Sequence, residues 1–96
     1  METQTEFDRQ IVAMIAGIVP GKFKKTKITR ETRLQAELGL DSLGILSLVF
    51  RFEETFGIDL AKMNLKINVA KLRTVGDVIN TGKDILGQTK VQQYVG

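Results

Sequence analysis

Cysteine and histidine are both absent from the 96-residue chain. Without cysteine there can be no disulfide, no thiolate metal ligand and no cysteine nucleophile. Without histidine the chain lacks the commonest metal ligand and the usual general base, which excludes Ser-His and Cys-His catalytic pairs. We therefore expect no metal site and no catalytic residue of these kinds.

Long hydrophobic runs are absent as well. No apolar run reaches the roughly 18 residues that a membrane-spanning helix needs. The start of the chain, METQTEFDRQ, lacks the basic region followed by an apolar stretch that marks a secretory signal. The length suits one compact domain. We expect a cytoplasmic protein with a single domain over residues 1–87 and a flexible C-terminal tail over residues 88–96.

The charge changes sign along the chain, although its net value is only +3. Residues 22–33 are basic, residues 34–60 are acidic and residues 61–73 are basic again. The basic residues of the two flanking segments are Lys22, Lys24, Lys25, Lys27, Arg30, Arg33, Lys62, Lys66, Lys71 and Arg73. This pattern is either ordinary solvated surface or a surface of mixed sign that steers partner proteins.

Hydrophobic spacing predicts an all-α fold, a small bundle of three main helices plus a short third helix. The first helix covers residues 7–19 and ends at Pro20-Gly21; a polar, basic loop follows to about Thr32. The second covers residues 42–56, with Asp41 as its N-cap and Gly57 at its end. The last runs from Thr74 to Gly87, weakened by Gly82.

Residues 59–73 are harder to assign. We predict one or two short irregular helices there, because no partner strand is evident elsewhere. However, Leu65, Ile67 and Val69 also alternate with polar residues, as they would in a strand.

The helix over residues 42–56 has two apolar faces, whereas an amphipathic helix needs only one. One face is the core stripe, formed by Ile45, Leu48, Val49, Phe52 and Phe56. The opposite face carries Leu43, Leu46, Ser47, Phe50 and Glu54. Its large apolar side chains are covered either by the basic loop or by a partner protein, and we favour the partner because this face begins beside Ser42.

Ser42 stands at the start of this helix, and its surroundings allow several roles. A hydrolase nucleophile would need the pattern G-x-S-x-G and a histidine, whereas position 40 is Leu and histidine is absent. A helix cap is the simplest role, but Asp41 already supplies one. The positive end of a helix also favours a phosphate. An exposed hydroxyl here could be esterified, with the chemistry supplied by another protein.

The stretch ELGLDSLGILSLVFRFEETFGIDL resembles the core of acyl carrier proteins, and Asp41-Ser42-Leu43 matches the DSL attachment motif of that family. The stretch LRTVGD resembles the opening of the family's last helix, and the likeness spans roughly residues 5–87. The resemblance implies an acyl-carrier-like fold and a non-catalytic carrier. It also implies 4′-phosphopantetheine bound covalently to Ser42, with acyl groups held on its thiol as thioesters.

The same resemblance implies which residues meet other proteins. Asp41 and Leu43 flank the attachment serine, and Asp41 would help the modifying enzyme to engage. The implied partners are a phosphopantetheinyl transferase and the enzymes that load, condense and transfer acyl groups, and we expect the carrier to be a monomer. The predicted partner-facing residues are Leu46, Ser47, Phe50, Glu53 and Glu54.

Two features depart from the pattern of fatty-acid carriers. Acidic residues that many of them carry after the serine are replaced here by Gly44 and Ser47. The region before the last helix, usually acidic, is basic. We therefore expect a carrier for a specialised lipid, polyketide or secondary-metabolite pathway.

Three alternatives stay open. An aminoacyl or peptidyl carrier shares the fold and the attachment serine. A degenerate carrier would keep the fold but leave Ser42 unmodified. A helical module that binds nucleic acid is the remote alternative, because the basic run is poor in aromatics and the acidic middle of the chain would repel phosphates.

Overall fold

A computed structural model describes residues 6–95, with side chains described for residues 6–87. Within these residues lie three α-helices and two 3-10 helices, in the order α1 (Glu6–Ile18), 3-10 (Gly21–Phe23), α2 (Ser42–Phe56), 3-10 (Val69–Lys71) and α3 (Val75–Val95). The predicted all-α class is confirmed, and the short third helix is the second 3-10 helix. The N-terminal five residues of the predicted domain lie outside the described part.

The core lies where the three α-helices face one another. Fully buried side chains come from α1 and α3 and from the connections between helices, and they include Ile11, Ile15, Leu34, Leu38, Val75 and Ile79. At one end of the core, the rings of Phe7 and Phe52 pack edge to face with centroids 6.4 Å apart, and Phe56 lies 4.8 Å from Phe52. These contacts use the predicted core stripe of α2.

The connection between α1 and α2 wraps over the core, as its length predicts. Arg30 anchors it, because its Nη1 donates to Oδ2 of Asp8 at 3.2 Å and its Nη2 donates to Oδ1 of Asn80 at 3.1 Å. Asp8 is only 6% exposed, and Lys83 Nζ lies 3.6 Å from its Oδ1. The only buried carboxylate among the described residues is thus paired with two cations.

One antiparallel bridge joins this connection to the start of α3. The N–H of Leu34 donates to the carbonyl of Arg73 at 2.9 Å, and the N–H of Val75 donates to the carbonyl of Thr32 at 3.0 Å. The bridge brings residues 33–36 beside residues 69–73, close to the N-terminus of α2. No sequence periodicity indicates this pairing.

The segment from 59 to 73 is less helical than predicted. A turn over residues 60–64 ends at Asn64, whose φ is 59°. Residues 65–68 then have no regular secondary structure, and Leu65, Ile67 and Val69 are half-buried while Lys66 and Asn68 between them are exposed. The alternation seen in the sequence therefore corresponds to alternating burial: Leu65, Ile67 and Val69 pack against the core from an irregular segment that leads into the second 3-10 helix.

Helix α3 begins with a capping box and continues past its predicted end. Thr74 Oγ1 accepts from the N–H of Asp77 at 3.1 Å, and Asp77 Oδ2 accepts from the N–H of Thr74 at 3.1 Å. The prediction that Gly87 ends the helix is wrong, because α3 runs to Val95. A glycine ends a helix by adopting a left-handed conformation, and Gly87 does not adopt it. Flexibility of residues 88–96 stays a prediction.

Gly82 has a packing role that outweighs its low helix propensity. A Cβ at this position would lie 2.7 Å from Phe7 Cζ and 3.1 Å from Phe52 Cε1, whereas a Cβ at Gly87 would meet nothing within 4 Å. We expect Gly82→Ala to lower the free energy of unfolding by about 1–3 kcal/mol through overpacking. Gly87→Ala is the matched control and should raise it by up to about 1 kcal/mol. Urea denaturation measures both; equal effects would contradict the steric explanation.

Candidate functional site

A tight turn presents the start of α2 to solvent. The N–H of Gly39 donates to the carbonyl of Gln35 at 3.1 Å, and the N–H of Leu40 donates to the carbonyl of Leu34 at 2.9 Å. Leu38 and Leu40 are both buried, so they anchor the turn in the core. Gly39 has a φ of 67° and lies against the ring of Phe23. The following residues, Asp41 and Ser42, are therefore held at the surface.

Asp41 caps the N-terminus of α2, and Ser42 is the first residue of the helix. Asp41 is the N-cap, and its Oδ1 accepts from the N–H of Gly44 at 3.0 Å. Ser42 is the first helical residue and is exposed. Its own N–H and that of Leu43 belong to the first turn, where no intrahelical carbonyl is available. The hydroxyl thus stands at the positive end of α2 and is not needed as a cap.

Gly44 lies close to the side chain of Leu40 on the first turn of α2. A Cβ at this position would lie 3.2 Å from Leu40 Cδ2 and 3.7 Å from the Asp41 carboxylate oxygen Oδ1. An acidic side chain here would crowd Leu40 and place a second negative charge beside the cap. A side chain at position 44 would therefore require the Leu40 side chain to shift by a few tenths of an ångström.

The second apolar face of α2 is exposed. The exposed fractions are 73% for Leu43, 40% for Leu46 and 57% for Phe50. The basic loop does not cover these three residues, which we call the apolar stripe. Large contiguous apolar patches of this kind on a small domain mark contact sites.

The polar residues predicted to contact partners, Ser47, Glu53 and Glu54, differ in how exposed they are. Ser47 and Glu54 are exposed, next to the apolar stripe or beyond it. Glu53 is half-buried, and its Oε2 accepts from the N–H of Leu60 at 2.9 Å. Glu53 thus fixes the turn after α2. Its contact with a partner stays a prediction.

Ser42 lines a groove that we did not predict from the sequence. The groove has a volume of about 530 Å³ and is lined by Arg33, Gln35, Ala36, Ser42, Leu43, Ile45, Leu46, Val69, Ala70, Leu72 and Arg73. Its walls come from α2, from the 3-10 helix before α3 and from the bridged segment before α2. A second cavity, of about 30 Å³, lies between the helices and is lined by Phe52 but not by Phe50.

Comparison with known proteins connects this geometry to a family. A family model described as a phosphopantetheine attachment site matches residues 9–81. An acyl carrier protein of Thermotoga maritima is 31% identical over 80 residues, which cover 81% of this chain and 94% of that protein. The chain belongs to the acyl carrier protein family.

Two further acyl carrier proteins agree with this assignment. That of Buchnera aphidicola subsp. Baizongia pistaciae is 31% identical over 71 residues, covering 74% of this chain and 83% of the relative. That of Onion yellows phytoplasma is 40% identical over 52 residues, covering 54% and 63%. No solved structure gives a significant match. Because the family model that matches residues 9–81 is a phosphopantetheine attachment site, covalently bound 4′-phosphopantetheine is the cofactor of this carrier.

The described part of the carrier contains no helix long and apolar enough to cross a membrane. Nor do its described residues group three or more acidic, histidine or cysteine side chains in a way that could hold a metal ion.

Two substitutions at Asp41 should distinguish the effect of its capping hydrogen bond on stability from the effect of its negative charge on modification. Asp41→Ala removes the acceptor for the Gly44 N–H and should lower the free energy of unfolding by about 1 kcal/mol, whereas Asp41→Asn keeps an acceptor and should change it by only a few tenths. If the carboxylate also helps the modifying enzyme to engage, Asp41→Asn should still slow modification. Thermal denaturation and the rate of phosphopantetheinylation measure the two effects. Equal stability of both variants would contradict the capping role.

Proposed function

We propose that Ser42 Oγ carries the 4′-phosphopantetheine arm and that the chain presents acyl thioesters to partner enzymes without catalysing a reaction itself. The observation that carries this proposal is the exposed Ser42 hydroxyl on the first turn of α2, within the matched region. Ser42 lies beside backbone N–H groups that have no intrahelical partner, a setting that suits a phosphate.

The residues around Ser42 fit this cofactor. The groove that Ser42 lines has a volume within the range of small-molecule sites, and most of its lining is apolar. The chain has no cysteine, so the arm would supply the thiol that holds the acyl group. Ser42 Oγ would form the new P–O bond to a pantetheine diphosphate ester supplied with the modifying enzyme, whose P–O–P bond would break so that its nucleotide part leaves. Because no histidine is present in this chain, the serine proton would pass to a base on that enzyme.

We further propose that the carrier serves a dedicated set of enzymes in a specialised lipid, polyketide or secondary-metabolite pathway. Its charge supports this, because positions 44 and 47 carry no acid and the segment before α3 carries Lys66, Lys71 and Arg73, all exposed. With fewer acidic and more basic side chains at its surface, the carrier would be attracted less strongly to a partner enzyme with a basic docking surface. A condensing enzyme of general fatty-acid synthesis should therefore turn over the loaded carrier slowly. Rapid turnover by such an enzyme would contradict this proposal.

An aminoacyl or peptidyl carrier is the alternative within the same architecture. The three relatives named above are all acyl carrier proteins, which favours acyl cargo. Intact mass of the protein isolated from its native host would identify the loaded group.

The attachment site can be tested on the wild-type protein. After co-expression with a broad-specificity phosphopantetheinyl transferase, we expect a mass gain of one phosphopantetheinyl group per chain. Fragmentation of the peptide that contains both Ser42 and Ser47 should place the group on Ser42. Ser47 is an internal control, because it is also exposed but lies beyond the first turn of α2. No mass gain, or a group on Ser47, would overturn the proposal.

The apolar stripe can be tested through the same modification reaction. Leu46→Asp places a charge in the centre of the stripe and should slow phosphopantetheinylation about tenfold or more, the loss typical of a buried contact residue. Ser47→Asp is the matched control, because it adds the same charge at the adjacent exposed position without removing an apolar contact. Equal rates for the two variants would show that the stripe does not contact the transferase.

A further inference from the structure

Arg33 and Arg73 lie in the same groove as the proposed attachment serine, although they are far apart in the sequence. The antiparallel bridge pairs Arg33 with Thr74, and the N–H of Leu34 donates to the carbonyl of Arg73. The backbones of Arg33 and Arg73 therefore lie side by side. Arg33 N–H donates to Glu37 Oε2 at 2.7 Å, and Arg73 N–H donates to Asp77 Oδ2 at 3.0 Å. The backbone of each arginine is therefore held both by the bridge and by a hydrogen bond to a nearby carboxylate.

The guanidinium groups of these two arginines are available to a ligand. Both residues are exposed, and neither side chain pairs with a carboxylate of the described residues, where the salt bridges join Asp8 to Arg30 and to Lys83. Glu37 and Asp77, the acids bonded to their backbone, direct those oxygens to N–H groups instead. Two cations thus project beside a groove whose remaining lining is mainly apolar.

We propose that Arg33 and Arg73 bind an anionic group carried by the arm on Ser42. This inference rests on the proposed function, because the arm must begin at Ser42. A guanidinium binds a phosphate or carboxylate through two parallel hydrogen bonds, and two guanidinium groups on one groove favour an anion over a neutral group. The apolar lining takes the hydrocarbon part. The anion is either the phosphodiester of the arm or a carboxylate on the acyl cargo, so the carrier would favour dicarboxylic over plain acyl groups in the second case.

Nuclear magnetic resonance of the arginine Nε–H groups tests the proposal directly. The full chain would be prepared unmodified, with the phosphopantetheine arm alone, with a butyryl thioester and with a succinyl thioester, and each load would be verified by intact mass. The two acyl groups have equal carbon chains and differ in the terminal carboxylate. We expect the Nε–H resonances of Arg33 and Arg73 to shift on loading, while that of Arg9, which is exposed on α1, stays constant.

The step at which the shift occurs identifies the anion. A shift on attachment of the bare arm assigns the phosphodiester, and a shift that requires the succinyl group assigns the cargo carboxylate. Either shift should shrink as salt is raised, because exposed charges are screened. In Arg33→Gln the shift at Arg73 should also decrease, whereas in Arg9→Gln it should be unchanged.

Resonances that stay constant in every verified loaded form would overturn the proposal while leaving the proposed function intact. If instead no mass is gained, the proposed function fails. Titration of the unmodified chain with free pantetheine 4′-phosphate then decides the inference: a shift confined to Arg33 and Arg73 supports an anion site in this groove, and its absence overturns it.

Discussion

Ser42→Ala is expected to abolish phosphopantetheinylation completely while the chain stays folded. The substitution removes the only oxygen that we propose as the attachment atom. It should cost little stability, because Asp41 makes the capping hydrogen bond to Gly44 and the Ser42 side chain is exposed. After co-expression with the transferase, the wild type should gain the mass of one arm and the variant should gain none.

Two controls make this result specific to the attachment atom. Ser47→Ala removes the neighbouring exposed hydroxyl on α2 and should be loaded like the wild type. Helical circular dichroism and the denaturation midpoint should agree among all three proteins, which excludes unfolding as the cause. A mass gain in Ser42→Ala would contradict the assignment of this serine, and no gain in any of the three would favour the degenerate carrier.

The start of α2 was predictable because its signals are local. Asp41 as N-cap, Gly57 as C-cap and the second apolar face all follow from residues within a few turns of one helix, and the structure confirms each of them. The same locality explains why the resemblance to the carrier family could be stated from ELGLDSLG and the residues after it.

The groove beside Ser42 was not predictable, because it depends on contacts between distant segments. Arg33 and Arg73 each belong to a basic run that has the composition of ordinary solvated surface, and only the bridge to Thr74 brings them together. Glu53 gave a similar difficulty: its sequence position suggests a partner contact, but its carboxylate accepts from Leu60 N–H after the chain has turned back.

In helix α3, residue type alone was misleading at two glycine positions. Glycine suggested a weak point at position 82 and an end at position 87. Instead, Gly82 allows the rings of Phe7 and Phe52 to approach α3, and Gly87 stays helical. Whether a glycine breaks a helix or permits close packing depends on what faces it, and that neighbour lies on another element.

Gly39→Ala is expected to destabilise the carrier by about 3 kcal/mol, a large part of the total for a small domain. A left-handed conformation costs an L-residue about 1–2 kcal/mol, and overpacking typically adds about 1–3 kcal/mol. Both apply here, because Gly39 has a φ of 67° and a Cβ would lie 2.5 Å from Phe23 Cε2. The Phe23 ring, itself half-buried, covers the turn that holds Leu38 and Leu40 in the core.

Gly57→Ala separates the two causes, because Gly57 has a φ of 63° but a Cβ there would meet nothing within 4 Å. It should lower the free energy of unfolding by only about 1–2 kcal/mol, the conformational part alone. In a Phe23→Ala background the cost of Gly39→Ala should fall to the same value, which a double-mutant cycle by urea denaturation measures. An unchanged cost in that background would show that Phe23 does not restrict position 39. The fall we expect would instead show that the Phe23 ring of the basic loop packs directly against Gly39, in the turn that presents Ser42.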